Sequence, residues 1–192
     1  MNLLGNGLSA ADHDADALSV RGAELSMLQQ IGASRYTILG LQSNLANTYQ
    51  QLGRIDEALC LQRELYSGCL KLHGEEHVNT LRESLCYASG LIASIRLGEA
   101  KSLMRKTIPV AQRVLGESHE HTLKMRWVYA DTICRDNGYQ LDDLREAVEI
   151  LEDSERIARR VLGGMHPTTV GIERHLQAAR EALDARETGA SF

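Results

Sequence analysis

The sequence predicts an all-α protein, an α-solenoid of antiparallel helical hairpins, and three observations carry that prediction. Its 192 residues are 43% hydrophobic but only 4% aromatic, with two prolines, a mixture poor in strand formers and in helix breakers. A nine-residue pattern returns along the chain. Between its copies the apolar residues recur at the helical period of 3.6, not at the period of two that a strand needs.

The pattern first reads His73-Gly74-Glu75-Glu76-His77-Val78-Asn79-Thr80-Leu81. It returns as Leu115-Gly116-Glu117-Ser118-His119-Glu120-His121-Thr122-Leu123 and as Leu162-Gly163-Gly164-Met165-His166-Pro167-Thr168-Thr169-Val170. Gly74 to Gly116 is 42 residues, and Gly116 to Gly163 is 47. A second marker, Glu-Ala, falls at Glu57-Ala58, Glu99-Ala100 and Glu146-Ala147 with the same two spacings. Stepping 42 residues before Gly74 gives Gly32, the start of a degraded copy. The spacing therefore predicts one continuous domain. Residues 1–31 form a degenerate N-terminal repeat or cap, 32–73 repeat 1, 74–115 repeat 2 and 116–162 repeat 3. The last of these holds a five-residue insertion near Asp136-Asn137-Gly138-Tyr139-Gln140. Residues 163–187 form a C-terminal capping helix, and 188–192 a frayed tail.

Each unit reads as two helices. Leu41, Leu45 and Tyr49 share one stripe of a first helix, and Ile55, Ala58, Leu59 and Leu65 share one of a second. Gly53 of Leu52-Gly53-Arg54 suits a left-handed helix stop, and Asp56-Glu57 places acid in the next first turn. The second unit has Ile95-Arg96-Leu97-Gly98 in place of that Gly-Arg turn. Near the N-terminus, Asp14 to Gln30 is expected as a second helix and Leu3 to Leu8 as the remnant of a first. Pro109 lies inside a predicted second helix and is expected to kink it near Arg105. Ser67-Gly68 holds the matching place one unit earlier. On the last helix Arg174, Gln177, Arg180, Glu181, Arg186 and Glu187 supply a polar outer face.

The closing glycines end second helices, and His77, His119 and His166 open the next hairpins as cap or packing residues, with Pro167 suited to the first helical position. A shared metal is excluded by distance. Equivalent positions on stacked hairpins stand roughly 10 Å apart, against a coordination shell of ~2 Å. Asp12-His13-Asp14 reads as a turn and cap. Cys60, Cys69, Cys86 and Cys134 form no C-x-x-C pair and are expected as reduced helix residues. The formal net charge of −5 comes without a polybasic run, which argues against nucleic acid or anionic lipid as ligand. No apolar stretch is long enough to cross a bilayer. Cytoplasmic residence is expected, with no membrane partner.

Asn44-Leu45-Ala46-Asn47-Thr48-Tyr49-Gln50-Gln51-Leu52-Gly53-Arg54-Ile55-Asp56-Glu57-Ala58 resembles the core motif of a tetratricopeptide repeat. The 42-residue unit with its Gly-x-x-His-(Pro)-x-Thr lead-in is similar to the kinesin light chain subgroup. The resemblance spans about Gly32 to Leu183 and implies a right-handed α-solenoid of antiparallel helical hairpins that serves as a non-catalytic interaction module. A peptide or protein partner would lie in a concave groove lined by first helices. Carried onto this chain, the groove comprises Ser43, Asn47 and Gln50 in the first unit and Arg82, Leu85 and Ser89 in the second. Lys124, Trp127, Asp131 and Arg135 follow in the third, with Arg174 from the last helix. Trp127 beside Lys124 and Arg135 would anchor an acidic-aromatic peptide, or else pack as core between hairpins.

No phosphate loop, Gly-x-Ser-x-Gly elbow or isolated carboxylate pair points to catalysis, so no cofactor, metal site or enzymatic activity is expected. A self-associating scaffold, or a fragment of a longer repeat array, remains the alternative.

Overall fold

The computed structural model describes residues 14–136, 138 and 140–189. Among them are eight α-helices and no strand: α1 (Asp14–Gln30), α2 (Arg35–Gln51), α3 (Ile55–His73), α4 (Val78–Ala93), α5 (Leu97–Leu115), α6 (Glu120–Arg135), α7 (Leu141–Val161) and α8 (Pro167–Glu187). The helix remnant expected at Leu3 to Leu8, Asp12 and His13, and the last three residues lie outside the described part. The chain divides into two compact units, Met1–Gly74 and Glu75–Phe192.

In the first unit α2 packs against both α1 and α3. Leu39, Ala46, Leu65 and Cys69 form its core, and Leu41, Leu45, Ala58 and Leu59 are buried as their spacing requires. Ala46 and Ala58 are almost fully buried, small enough for two helices to approach closely. Ser34 caps α2, its Oγ accepting the Thr37 N–H at 3.2 Å. The turn into α3 follows the predicted chemistry. Gly53 has φ +70°, and the Arg54 N–H donates to the Tyr49 carbonyl at 2.9 Å.

In the second unit each helix from α4 to α8 packs on the next, while α4 also meets α6 and α6 meets α8. First and second helices thus alternate around one core that includes Leu81, Met104, Leu123, Met125, Ile133, Leu151 and Ile172. The repeated lead-in is a paired helix stop and start. Gly74, Gly116 and Gly163 all take positive φ, +83°, +92° and +91°, a region closed to most side chains. Three residues later His77, His119 and His166 are N-caps. The Nδ1 of each accepts the backbone N–H of Asn79, His121 or Thr168 at 3.1, 3.1 and 3.2 Å. The threonines of the pattern, Thr80, Thr122 and Thr169, are buried.

Two local conflicts resolve differently. Where the second unit lacks the Gly of the Gly-Arg turn, Ile95 itself takes φ +58°, so the turn keeps its geometry with a β-branched residue in a region that strains it. Pro109 sits inside α5 without ending it, on the exposed side of the helix, where the missing N–H costs one helical bond. The enlarged loop closes on α7, where Asp143 accepts the Gln140 N–H at 2.9 Å.

Candidate functional site

The first helices of the second unit line a cleft of about 360 Å³. Leu85 and Ser89 come from α4, Lys124, Trp127, Val128, Asp131 and Arg135 from α6, and His175 from α8. The helical repeat of α6 places Lys124, Trp127 or Val128, Asp131 and Arg135 on successive turns of one face. Trp127 is half-buried, leaning on α8 at Gly171. A Cβ at Gly171 would overlap the indole, with Cζ2 and Cζ3 both 2.9 Å away. The His175 ring meets the indole nearly edge-on, 5.0 Å between centroids at 67°.

Charges on the cleft wall are paired. Lys124 bonds Glu120 at 2.7 Å and Arg135 bonds Asp131 at 2.8 Å. Glu120 also accepts the Thr168 hydroxyl of α8 at 3.0 Å, and its carboxyl is held below the usual range chiefly by the hydrogen bond from Lys124. Burial works against ionising Asp131, yet the hydrogen bonds from His175 and Arg135 outweigh it and keep the carboxyl below its ordinary value. The bond to Asp131 raises His175 above its ordinary value, against burial. One seam therefore joins α6 to α8 through Glu120–Thr168, Trp127–Gly171 and Asp131–His175.

Residues 38–79 match the tetratricopeptide repeat family. The fold is similar to a crystal structure of nearly identical TPR-like repeats from a Podosopora anserina protein of kinesin-light-chain type. Identity is 21%, coverage is 99% of this chain and 95% of that one, and the TM-score is 0.74. A point variant of that protein gives 20% identity, coverage of 98% and 95%, and a TM-score of 0.77. This chain has a tetratricopeptide-repeat fold. BtubC (BKLC) from P. vanneervenii is a more distant likeness, at 14% identity, coverage of 98% and 80%, and a TM-score of 0.58. No curated protein matches the sequence.

Within the repeat fold, the structure brings together Leu85, Ser89, Lys124, Trp127, Asp131 and Arg135. Arg82 stands apart from this lining, half-exposed, with its guanidinium 2.9 Å from the buried carboxylate of Glu83. Arg174 is exposed and does not line the cleft. The resemblance put Arg174 in the groove, but the indole lies over Gly171, so the residue it meets one turn on is His175. Gly171 followed four residues later by His175 is the signal in the sequence. Its meaning depends on a neighbouring helix. Ser43, Asn47 and Gln50 belong to the first unit, on α2, with Asn47 exposed and the other two partly buried. A cleft of about 570 Å³ in that unit is lined instead by Arg35, Gln42, Glu64, Ser67 and Lys71, among others.

On the second-helix side of α6 another cleft, about 310 Å³, holds Pro109, Arg126 and an Arg105–Tyr129–Glu146 chain. Arg105 Nε donates to the Tyr129 hydroxyl at 2.7 Å, and that hydroxyl donates to Glu146 at 2.9 Å. No cluster of three or more potential metal ligands occurs among the described residues, and no helix there is long and apolar enough to cross a membrane. All four cysteines are free thiols. Burial first, then Glu83, pushes Cys86 up to about 11; burial first, then Asp131, does the same to Cys134. Both are thiols rather than nucleophilic thiolates at neutral pH.

Proposed function

We propose that this chain is a non-catalytic interaction module that holds a peptide segment of a protein partner in the α4–α6–α8 cleft. Tetratricopeptide repeats are in general protein–protein interaction modules. The observation that carries the finer reading is the convergence of Trp127 with Lys124, Arg135 and His175 around one cleft. A half-buried indole offers a large rigid contact, and cations at its rim orient an acidic segment. Since Arg135 is 57% exposed even while bonded to Asp131, an incoming carboxylate can share it without first being buried. The fitting ligand is an extended or helical acidic segment with an aromatic or aliphatic anchor.

Panning a displayed random-peptide library against the wild type and a Trp127→Ala, Lys124→Glu, Arg135→Glu variant tests this, with circular dichroism confirming equal helicity. The wild type is expected to enrich a sequence family that the variant binds roughly tenfold or more weakly, about 1.4 kcal/mol or more. Equal binding by both removes the cleft from the function.

Self-association is the second reading, favoured by the exposed apolar residues Val161, Met165 and Val170, at 48%, 92% and 47% exposure. It replaces the first if no peptides are enriched and the chain sediments as a concentration-dependent oligomer.

A further inference from the structure

His175 is the cleft residue that the repeat pattern did not single out, and its surroundings require more of it than filling space. Its Nδ1 lies 2.9 Å from the Gly171 carbonyl oxygen, and its Nε2 lies 3.4 Å from Oδ1 of Asp131. Both neighbours are acceptors. A neutral imidazole carries one N–H and can satisfy only one of them, whereas an imidazolium donates to both. The ring also borders Trp127, edge-on.

Resting on the peptide-cleft reading, we propose that His175 is the positioning residue of the cleft, a proton-dependent tie. As imidazolium it holds Asp131 of α6 to the Gly171 carbonyl of α8 beside the indole; as neutral imidazole it lets one of them go. A tautomer that keeps the Gly171 bond turns a lone pair toward the Asp131 carboxylate, which then moves onto Arg135 alone. The other tautomer keeps Asp131 and leaves the Gly171 carbonyl. Either way the wall loses one positive charge, and with the first tautomer it also loses the Asp131–His175 link of the α6–α8 seam, so the cleft is most favourable to an acidic segment while His175 is protonated.

The groups facing His175 support this. From α6 come Asp131 and, behind it, Arg135, with Lys124 further along the wall. On α8 itself Arg174 opposes protonation, but more weakly than Asp131 favours it. From α4 the cleft lining is the uncharged Leu85 and Ser89. From α7 the charged groups that reach α8 are Arg145, Glu152 and Arg159, which pair with Glu187, Arg180 and Glu173.

Trp127 is the sole tryptophan of the chain, so its emission reports on this place alone, and an imidazolium quenches an adjacent indole more strongly than an imidazole does. Emission is read from about pH 5.5 to about pH 9, without peptide, for wild type, His175→Gln and Asp131→Asn, with circular dichroism at each end. Wild-type emission is expected to rise through one transition centred above the ordinary histidine value of 6.5. His175→Gln loses the transition. Asp131→Asn keeps it but moves its midpoint down.

A transition that survives in His175→Gln, or an Asp131→Asn midpoint equal to that of wild type, overturns the tie. Should either variant not fold, nitrogen chemical shifts of His175 in the native chain decide instead. A neutral ring at about pH 6 overturns the proposal, and a doubly protonated one upholds it. The optical readout needs no ligand, so the two readings fail separately. A flat wild-type trace with peptide binding intact removes the tie and leaves the cleft, and the reverse result removes the peptide reading alone.

Discussion

Trp127 occupies space that a side chain at position 171 would fill, and this contact decides how α6 and α8 meet at the cleft. Gly171→Ala gains about 1 kcal/mol of helix propensity, but a Cβ there would lie 2.9 Å from Cζ2 and Cζ3 of the indole, and overpacking a rigid ring costs about 1–3 kcal/mol. Stability is expected to fall by about 1 kcal/mol, with red-shifted tryptophan emission, measured together in one urea titration. Gly40 is the control. A Cβ there meets nothing within 4 Å, so Gly40→Ala is expected to raise stability by about 1 kcal/mol.

Histidines act on stability in opposite senses. The folded value of His175 is raised, so its contribution is complete below the unfolded value of 6.5 and fades as pH rises through the folded one. Burial first, then His119, lowers His121, so its contribution is lost as pH falls from the unfolded value toward the folded one. Bulk stability thus blends the two, and a local probe separates them.

At the scale of elements, a glycine stop followed by a histidine cap divides the chain into hairpins, and both halves of that device are visible as sequence. The glycine is dictated by positive φ and the histidine by an unpaired helix N-terminus. Spacing alone therefore marked Gly74, Gly116 and Gly163 as helix stops and His77, His119 and His166 as the starts that follow. The Ile95 turn was less legible, because its geometry comes from the helices on either side and not from its own preference. Ile95 is 82% exposed, so replacing it forfeits almost no buried surface, while its left-handed backbone costs roughly 1 kcal/mol. Ile95→Gly is expected to raise the melting temperature by the equivalent of roughly 1 kcal/mol, as read by calorimetry. A fall would mean that the side chain makes a contact worth more than the strain.

At the scale of the whole molecule, stability is unequal along the chain. The core of Glu75–Phe192 joins all five of its described helices, whereas among the described residues of Met1–Gly74 the buried cluster comprises Leu39, Ala46, Leu65 and Cys69, with Leu61 against it. Repeat arrays hold together through neighbouring interfaces, and the smaller core opens first. Amide hydrogen exchange is expected to be faster in α1 to α3 than in α5 to α7. Equal protection along the chain would show that the two units open as one.

The sequence by itself determined that the chain is helical and where its glycine stops and histidine caps fall, because periodicity, glycine and capping act within a few residues; the α6 residues of the cleft came only from the resemblance. Only the tertiary structure decided that Trp127 is half-buried against Gly171, that Arg82 serves Glu83 and that His175 rather than Arg174 completes the wall. The Trp127 and His175 outcomes depend on which helix faces which across a separation of more than forty residues, and on the one side chain whose absence at Gly171 lets the indole settle there.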